Sequence, residues 1–315
     1  MAELKLKTAF RPDGHTAPLR DQTIKPKTFE IDYVDVPVLI QAFRNMVRGL
    51  EYDICEMAIT TYICAKSYGK RFTAIPVFPA RVFHHGAIVY NTRSGIRTPK
   101  DLEAKKVGVH RGYTVTTGVW IRGILQHQYD VDLSRITWLL SGDEHVAEFR
   151  APSNVVPIEQ GQKLDEMIVS GAIPAAVNVD IDHPDVKPLI PGPAEAGFEA
   201  LRISGHYPIN HTVVVKDDLL AAHSGLAEDI FNAFAEAKSL YVERLRSGQI
   251  APLTKTDERY RRVMEITGRD PLPYGVAPNR RMIETVMQYA TEQKILDRPL
   301  AIEELFAPGT LELIG

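Results

Sequence analysis

The sequence has only two cysteines, no long basic run and no apolar stretch approaching the ~20 residues that a membrane span needs. Each shortage removes a class of function. Cys55 and Cys64 fall within one predicted turn-helix unit, so free thiols in a reducing compartment are expected rather than a structural disulfide. A formal net charge of −3 without a concentrated basic footprint argues against a nucleic-acid partner. The first residues, MAELKLKTAF, lack a basic segment followed by an apolar one. No signal peptide is visible there, and a cytoplasmic protein with no membrane partner is expected. HExxH, a cysteine cluster, EF-hand spacing and a Gly-rich nucleotide fingerprint are all missing, as is any internal repeat.

What is present is an ordinary globular composition, 44% hydrophobic and 24% charged, over 315 residues, enough for two domains. Period-2 and apolar runs predict strands at 4–10, 31–36, 52–54, 73–77, 88–90, 106–109, 136–140, 175–179 and 207–215. Helical patterns fall at 38–49, 58–67, after the HRGYTV loop, at 164–170 and over most of the chain beyond Leu219. The stretch 188–197 reads as a Pro/Gly-rich connection. Alternating strands and helices predict α/β layers. The helical last third is expected to return to the first lobe. That gives lobe one at 1–90 plus 205–315 and lobe two at 91–204, with a two-strand hinge and a ligand cleft at the carboxyl ends of the strands.

Chemistry-bearing residues concentrate between Glu51 and Asn91. Cys55-Glu56-Met57 follows the predicted 52–54 strand, and Arg81 to His85 joins the next two strands. A guanidinium matches a carboxylate through two parallel hydrogen bonds, which makes Arg81 the candidate anion clamp. Histidine titrates near neutrality and serves as acid or base, so His84, His85 and His211 are candidates, with Glu56 as base or as a structural partner of a cation. His84 and His85, if extended, point to opposite sides, so one of them is expected to face the cleft. Thr114, Thr116 and Thr117 lie at a predicted helix start, where hydroxyls and N–H groups favour anions, or one of them caps the helix. His145 sits in a polar loop, SGDEHVAEF, after a strand end. His15 on the first loop is a further candidate. Cys55 and Trp120 read as packing residues, and Asp180 to Asp185 as a plain turn.

In order along nearly the whole chain, Glu51–Asn91, Val107–Val131, SGDEHVAEF, YPINHTVVV and the C-terminal DPLPYGVAPNRRMIETVMQYATEQ…LAIEELFAPGT resemble the 4,5-dihydroxyphthalate decarboxylase family. Two places depart from its pattern: His84 stands where an arginine is expected, and the HRGYTVTTG loop lacks the acidic residue and glutamine common there. The resemblance implies a two-lobed fold like the type II periplasmic solute-binding proteins. It also implies a carboxy-lyase that takes 4,5-dihydroxyphthalate to protocatechuate and CO2, and it favours His85 of the histidine pair. In such a ring each carboxylate is para to a hydroxyl, which pushes electrons onto the carbon to be protonated. No cofactor is then required; the alternative is a divalent ion held by histidines. The expected partner is a small aromatic dicarboxylate, and the amphipathic C-terminal helices leave a homodimer open. A solute-binding protein that captures an aromatic carboxylate without turnover is the second reading.

Overall fold

The computed structural model describes residues 4–315. The strands in chain order are β1 (Lys5–Ala9), β2 (Glu30–Tyr33), β3 (Ile54–Ala58), β4 (Phe72–Arg81), β5 (Ile88–Asn91), β6 (Lys106–Val109), β7 (Thr137–Leu140), β8 (Val155–Pro157), β9 (Ala175–Val177), β10 (Val186–Pro188) and β11 (Ile209–Lys216). The chain divides into two compact units. The first holds the chain up to Arg81, Ile209–Glu284 and Leu300–Gly315; the second holds Val82–Pro208 and Thr285–Pro299. The sequence-based boundaries stood near Asn91 and Ser204. In the structure β5 pairs with β9 and β10, which ties residues 88–91 to the sheet of the second unit.

The first unit is built on a five-stranded sheet in the order β2-β1-β3-β11-β4. β1 runs parallel to β2 and β3, whereas β11 is antiparallel to both β3 and β4. Four strands therefore end at one edge, and β11 begins there. Every residue of β3 is buried, as are most of β4, and such near-continuous apolar runs mark strands covered on both faces. The second unit carries a six-stranded sheet, β10-β5-β9-β6-β7-β8, mixed in direction.

Three local readings are corrected. Cys55-Glu56-Met57 is not a joint after a strand but lies inside β3, paired with Val214, Val213 and Thr212. The strand starts late because Asp53 closes its end: its carboxylate accepts from the Lys7 N–H at 2.9 Å and the Lys216 ammonium at 2.7 Å. Arg81 likewise belongs to β4 as its last residue, not to the following loop. The supposed connection after Pro188 contains a helix, Pro193–Ser204, entered through Gly192 at φ 53° with Pro193 just inside its start. Both cysteines are buried and free. No helix among the described residues is long and apolar enough to cross a membrane.

In the second unit the Thr116–Tyr129 helix packs Gly123 directly on the Tyr289 ring, where a Cβ would fall inside the ring's van der Waals envelope. Trp120, one turn earlier, meets the same ring edge-on at 5.6 Å. Gly123→Ala is expected to lower stability by about 1–3 kcal/mol through overpacking, against the slight gain that alanine brings to an exposed helix position. Urea denaturation of the two proteins measures the difference.

Candidate active site

The sheet edge of the first unit gathers titratable side chains. His211 in β11 is registered opposite Ala58 of β3, and Glu56 opposite Val213. Residues paired across antiparallel strands share a face, so Glu56 and His211 are diagonal neighbours on that face. The His211 Nδ1 stands 2.5 Å from Glu56 Oε1, and the Arg11 backbone N–H donates to Glu56 Oε2 at 2.8 Å. Arg11 opens the loop that leaves β1. Glu56 is 2% exposed and His211 13%, so the carboxylate is sealed behind the imidazole. Burial pushes the Glu56 carboxyl up, but the hydrogen bond and charge of His211, with the Arg11 N–H, outweigh it and hold the group below the usual glutamate range. A buried strand carboxylate without such partners would be prohibitive. Phe43 meets the His211 ring edge-on at 5.1 Å, placing an apolar wall beside the imidazole.

Arg81 lies at the same edge, its backbone registered with Ile209 at the start of β11. The guanidinium is buried, donates to the Asn279 side-chain oxygen and lies 6.0 Å from the Phe78 ring. Asn279 is fixed in turn by donating to the carbonyls of Pro273 and Gly275 at 2.8 and 2.7 Å. Arg11 and Asp13 were not singled out from sequence. Burial raises the Asp13 carboxyl against the lowering charge of Arg11.

His15 lies in the first unit; the other remaining candidates belong to the second. His84 and His85 are both buried. His84 stacks parallel to Trp120 at 6.5 Å, while the His85 Nε2 meets the Gln128 side-chain oxygen at 2.9 Å. Burial lowers the His85 pKa, opposed by the Gln128 hydrogen bond. His206, missed in the sequence, stands edge-on to both His85 at 6.2 Å and Trp120 at 5.5 Å. Trp120 is fully buried, as its packing role required.

Thr116 and Thr117 are the first two residues of the Thr116–Tyr129 helix, and neither supplies its side-chain cap. Thr114 precedes it and bonds to a carboxylate of its own chain: the Thr114 hydroxyl and N–H donate to Glu144 Oε2 at 2.6 and 3.1 Å, and the Tyr113 N–H donates to Oε1. These donors of the loop thus hold a carboxylate of the same chain, Glu144. His145, the next residue, is buried. Among the described residues no group of three or more His, Cys, Asp and Glu side chains stands at metal-binding spacing.

No family model matches the chain. It is 28% identical to a 4,5-dihydroxyphthalate decarboxylase of Comamonas testosteroni over 99% of both chains. A Pseudomonas putida protein of the same name is 30% identical over 47% of this chain and 62% of its own length. Among solved structures, a Candida albicans protein with the generic periplasmic-binding-protein fold aligns with 100% of this chain and 99% of its own, at a TM-score of 0.56 and 16% identity. The fold is that of the periplasmic binding proteins.

Proposed function

We propose, from a chain related over its whole length to the 4,5-dihydroxyphthalate decarboxylases, that it decarboxylates a hydroxylated aromatic acid, with 4,5-dihydroxyphthalate giving protocatechuate and CO2. The observation that carries this reading is the Glu56–His211 pair: a buried carboxylate bonded to one nitrogen of an imidazole that stays partly accessible. Capture of an aromatic acid without turnover needs an anion clamp but no such acid–base device.

Glu56, held as a carboxylate, fixes the Nδ1–H of His211 and offsets the charge of its imidazolium form. The Nε2–H is then the proton donor. The ring hydroxyl para to the leaving group pushes electron density to the carboxylated carbon, which takes the proton from Nε2. The carbon–carboxylate bond breaks, its electron pair restores the aromatic ring, and CO2 departs. One proton is consumed, and His211 regains it from solvent. Arg81 is the proposed clamp for the retained carboxylate, and Phe43 supplies apolar surface beside the acid. The reading requires no cofactor.

Purified protein mixed with 4,5-dihydroxyphthalate is expected to release CO2 and protocatechuate at the same rate with and without a chelator. Tight binding without product would favour a solute-binding role. Loss of activity on chelation, restored by a divalent ion, would replace the cofactor-free mechanism with a metal-assisted one.

A further inference from the structure

Among the nearly wholly buried side chains of the first unit, His15, 1% exposed, keeps its Nε2 and Tyr274, 0% exposed, its hydroxyl without a hydrogen-bond partner. A buried polar group left unmade costs about 1–3 kcal/mol, and native proteins keep few of them. Both residues come from segments anchored to the sheet that carries Glu56 and His211. His15 follows Arg11 in the loop leaving β1, and that loop closes tightly on the Leu226–Arg246 helix. A Cβ at Gly14 would come within 2.6 Å of the Tyr241 ring. Tyr274 lies in a segment tied to β4 by the Gly275 N–H, which donates to the Pro76 carbonyl at 2.8 Å. The Tyr260 ring stands 6.4 Å from His15 and acts electrostatically on Tyr274. The Glu56 charge is felt by both orphaned groups.

Their chemistry is complementary. The Pro79 carbonyl accepts from the His15 ring, which fixes the tautomer and leaves Nε2 as an acceptor. Burial lowers the His15 pKa to about 4, so the acceptor persists at neutral pH. Burial likewise raises the Tyr274 phenol far above its ordinary value, so it stays protonated and can donate. An unpartnered acceptor and an unpartnered donor that share Tyr260 as a neighbour suit a hydroxyl, which gives one hydrogen bond and takes another. A carboxylate has no proton for Nε2. We infer that His15 and Tyr274 form a recognition site for a phenolic hydroxyl of the substrate, distinct in chemistry from the carboxylate clamp. This rests on the reading that the first unit binds a hydroxylated aromatic acid. It assigns the hydroxyl selectivity to two residues that do no proton transfer to the ring carbon.

The test compares 4,5-dihydroxyphthalate with phthalate, which has both carboxylates and no hydroxyl, by calorimetric titration of the wild type, Tyr274→Phe, His15→Leu and His15→Gln. Losing one satisfied hydrogen bond of this kind corresponds to ~10–100-fold in affinity. Tyr274→Phe and His15→Leu are each expected to weaken dihydroxyphthalate binding by that factor and leave phthalate binding unchanged. His15→Gln, whose amide oxygen still accepts, is expected to retain more affinity than His15→Leu. Equal changes for both ligands, or none, overturn the inference, as does a wild type that binds phthalate as tightly as dihydroxyphthalate. Tyr274→Phe removes only an unpartnered oxygen and keeps the test readable should His15→Leu fail to fold. CO2 release by the wild type is scored separately: binding that discriminates hydroxyls without turnover retains this inference and removes the decarboxylase reading.

Discussion

His211→Gln is expected to lower kcat for decarboxylation by about 10²–10⁴-fold while KM moves little, because a positioned proton donor is worth about that much in rate. The glutamine preserves a polar group near Glu56 but carries no proton acidic enough for a ring carbon. The variant therefore separates protonation from binding: Arg81 at the end of β4, the proposed clamp, is untouched, and substrate affinity is expected to be retained. Steady-state rates with 4,5-dihydroxyphthalate check both parts. A fall in affinity with kcat preserved would make His211 a binding residue.

The largest stability effect is expected at Glu56. Glu56→Ala leaves the Arg11 N–H and the His211 Nδ1 facing a cavity, each without the oxygen that now receives it. Removing one partner of a buried pair costs about 3–5 kcal/mol. Glu56→Gln keeps the shape and one acceptor, so about 1 kcal/mol is expected. The pH dependence has a definite sign. The carboxyl lies below its ordinary value of 4.5 in the folded chain, so its contribution is fully present above that pH and is lost as pH falls through the depressed folded value. The stability gap between wild type and Glu56→Gln should therefore narrow on acidification below about pH 4.5 and stay constant from pH 6 to 8. Urea titrations at several pH values measure it.

Much of this was legible in the chain. The strands at 106–109 and 164–170's helix appear where their periodicity places them, since local pattern and tertiary burial agree there. Glu56, Arg81 and His211 stood out because charged or titratable groups interrupt apolar runs, and such groups need partners when buried. The partners of Glu56 were not legible. One oxygen meets His211 across the strand pair, and the other accepts from the backbone N–H of Arg11, forty-five positions away, contributed by a loop whose sequence, RPDGHT, reads only as a turn. Tyr274 was hidden for the same reason: DPLPYGVAPN signals a break, and nothing local says that its tyrosine is fully buried. In the SGDEHVAEF loop the histidine is the more conspicuous candidate by residue type, but it is the carboxylate of Glu144 that meets the Thr114 loop. The Pro193–Ser204 helix was masked by Pro191, Gly192 and Pro193. In sequence those residues read as breakers, while Gly192 and Pro193 are the start signals of the helix itself.

The decisive measurement is turnover of 4,5-dihydroxyphthalate labelled with ¹³C in its carboxyl groups, by wild type and His211→Gln side by side in D2O. Expected from the wild type are many equivalents of ¹³CO2 per protein, one per protocatechuate, with deuterium at the vacated ring carbon; His211→Gln should bind the substrate and release almost none. A wild type that forms a stoichiometric complex and releases no ¹³CO2, or a His211→Gln variant that turns over at the wild-type rate, would contradict a decarboxylase working through the Glu56–His211 pair.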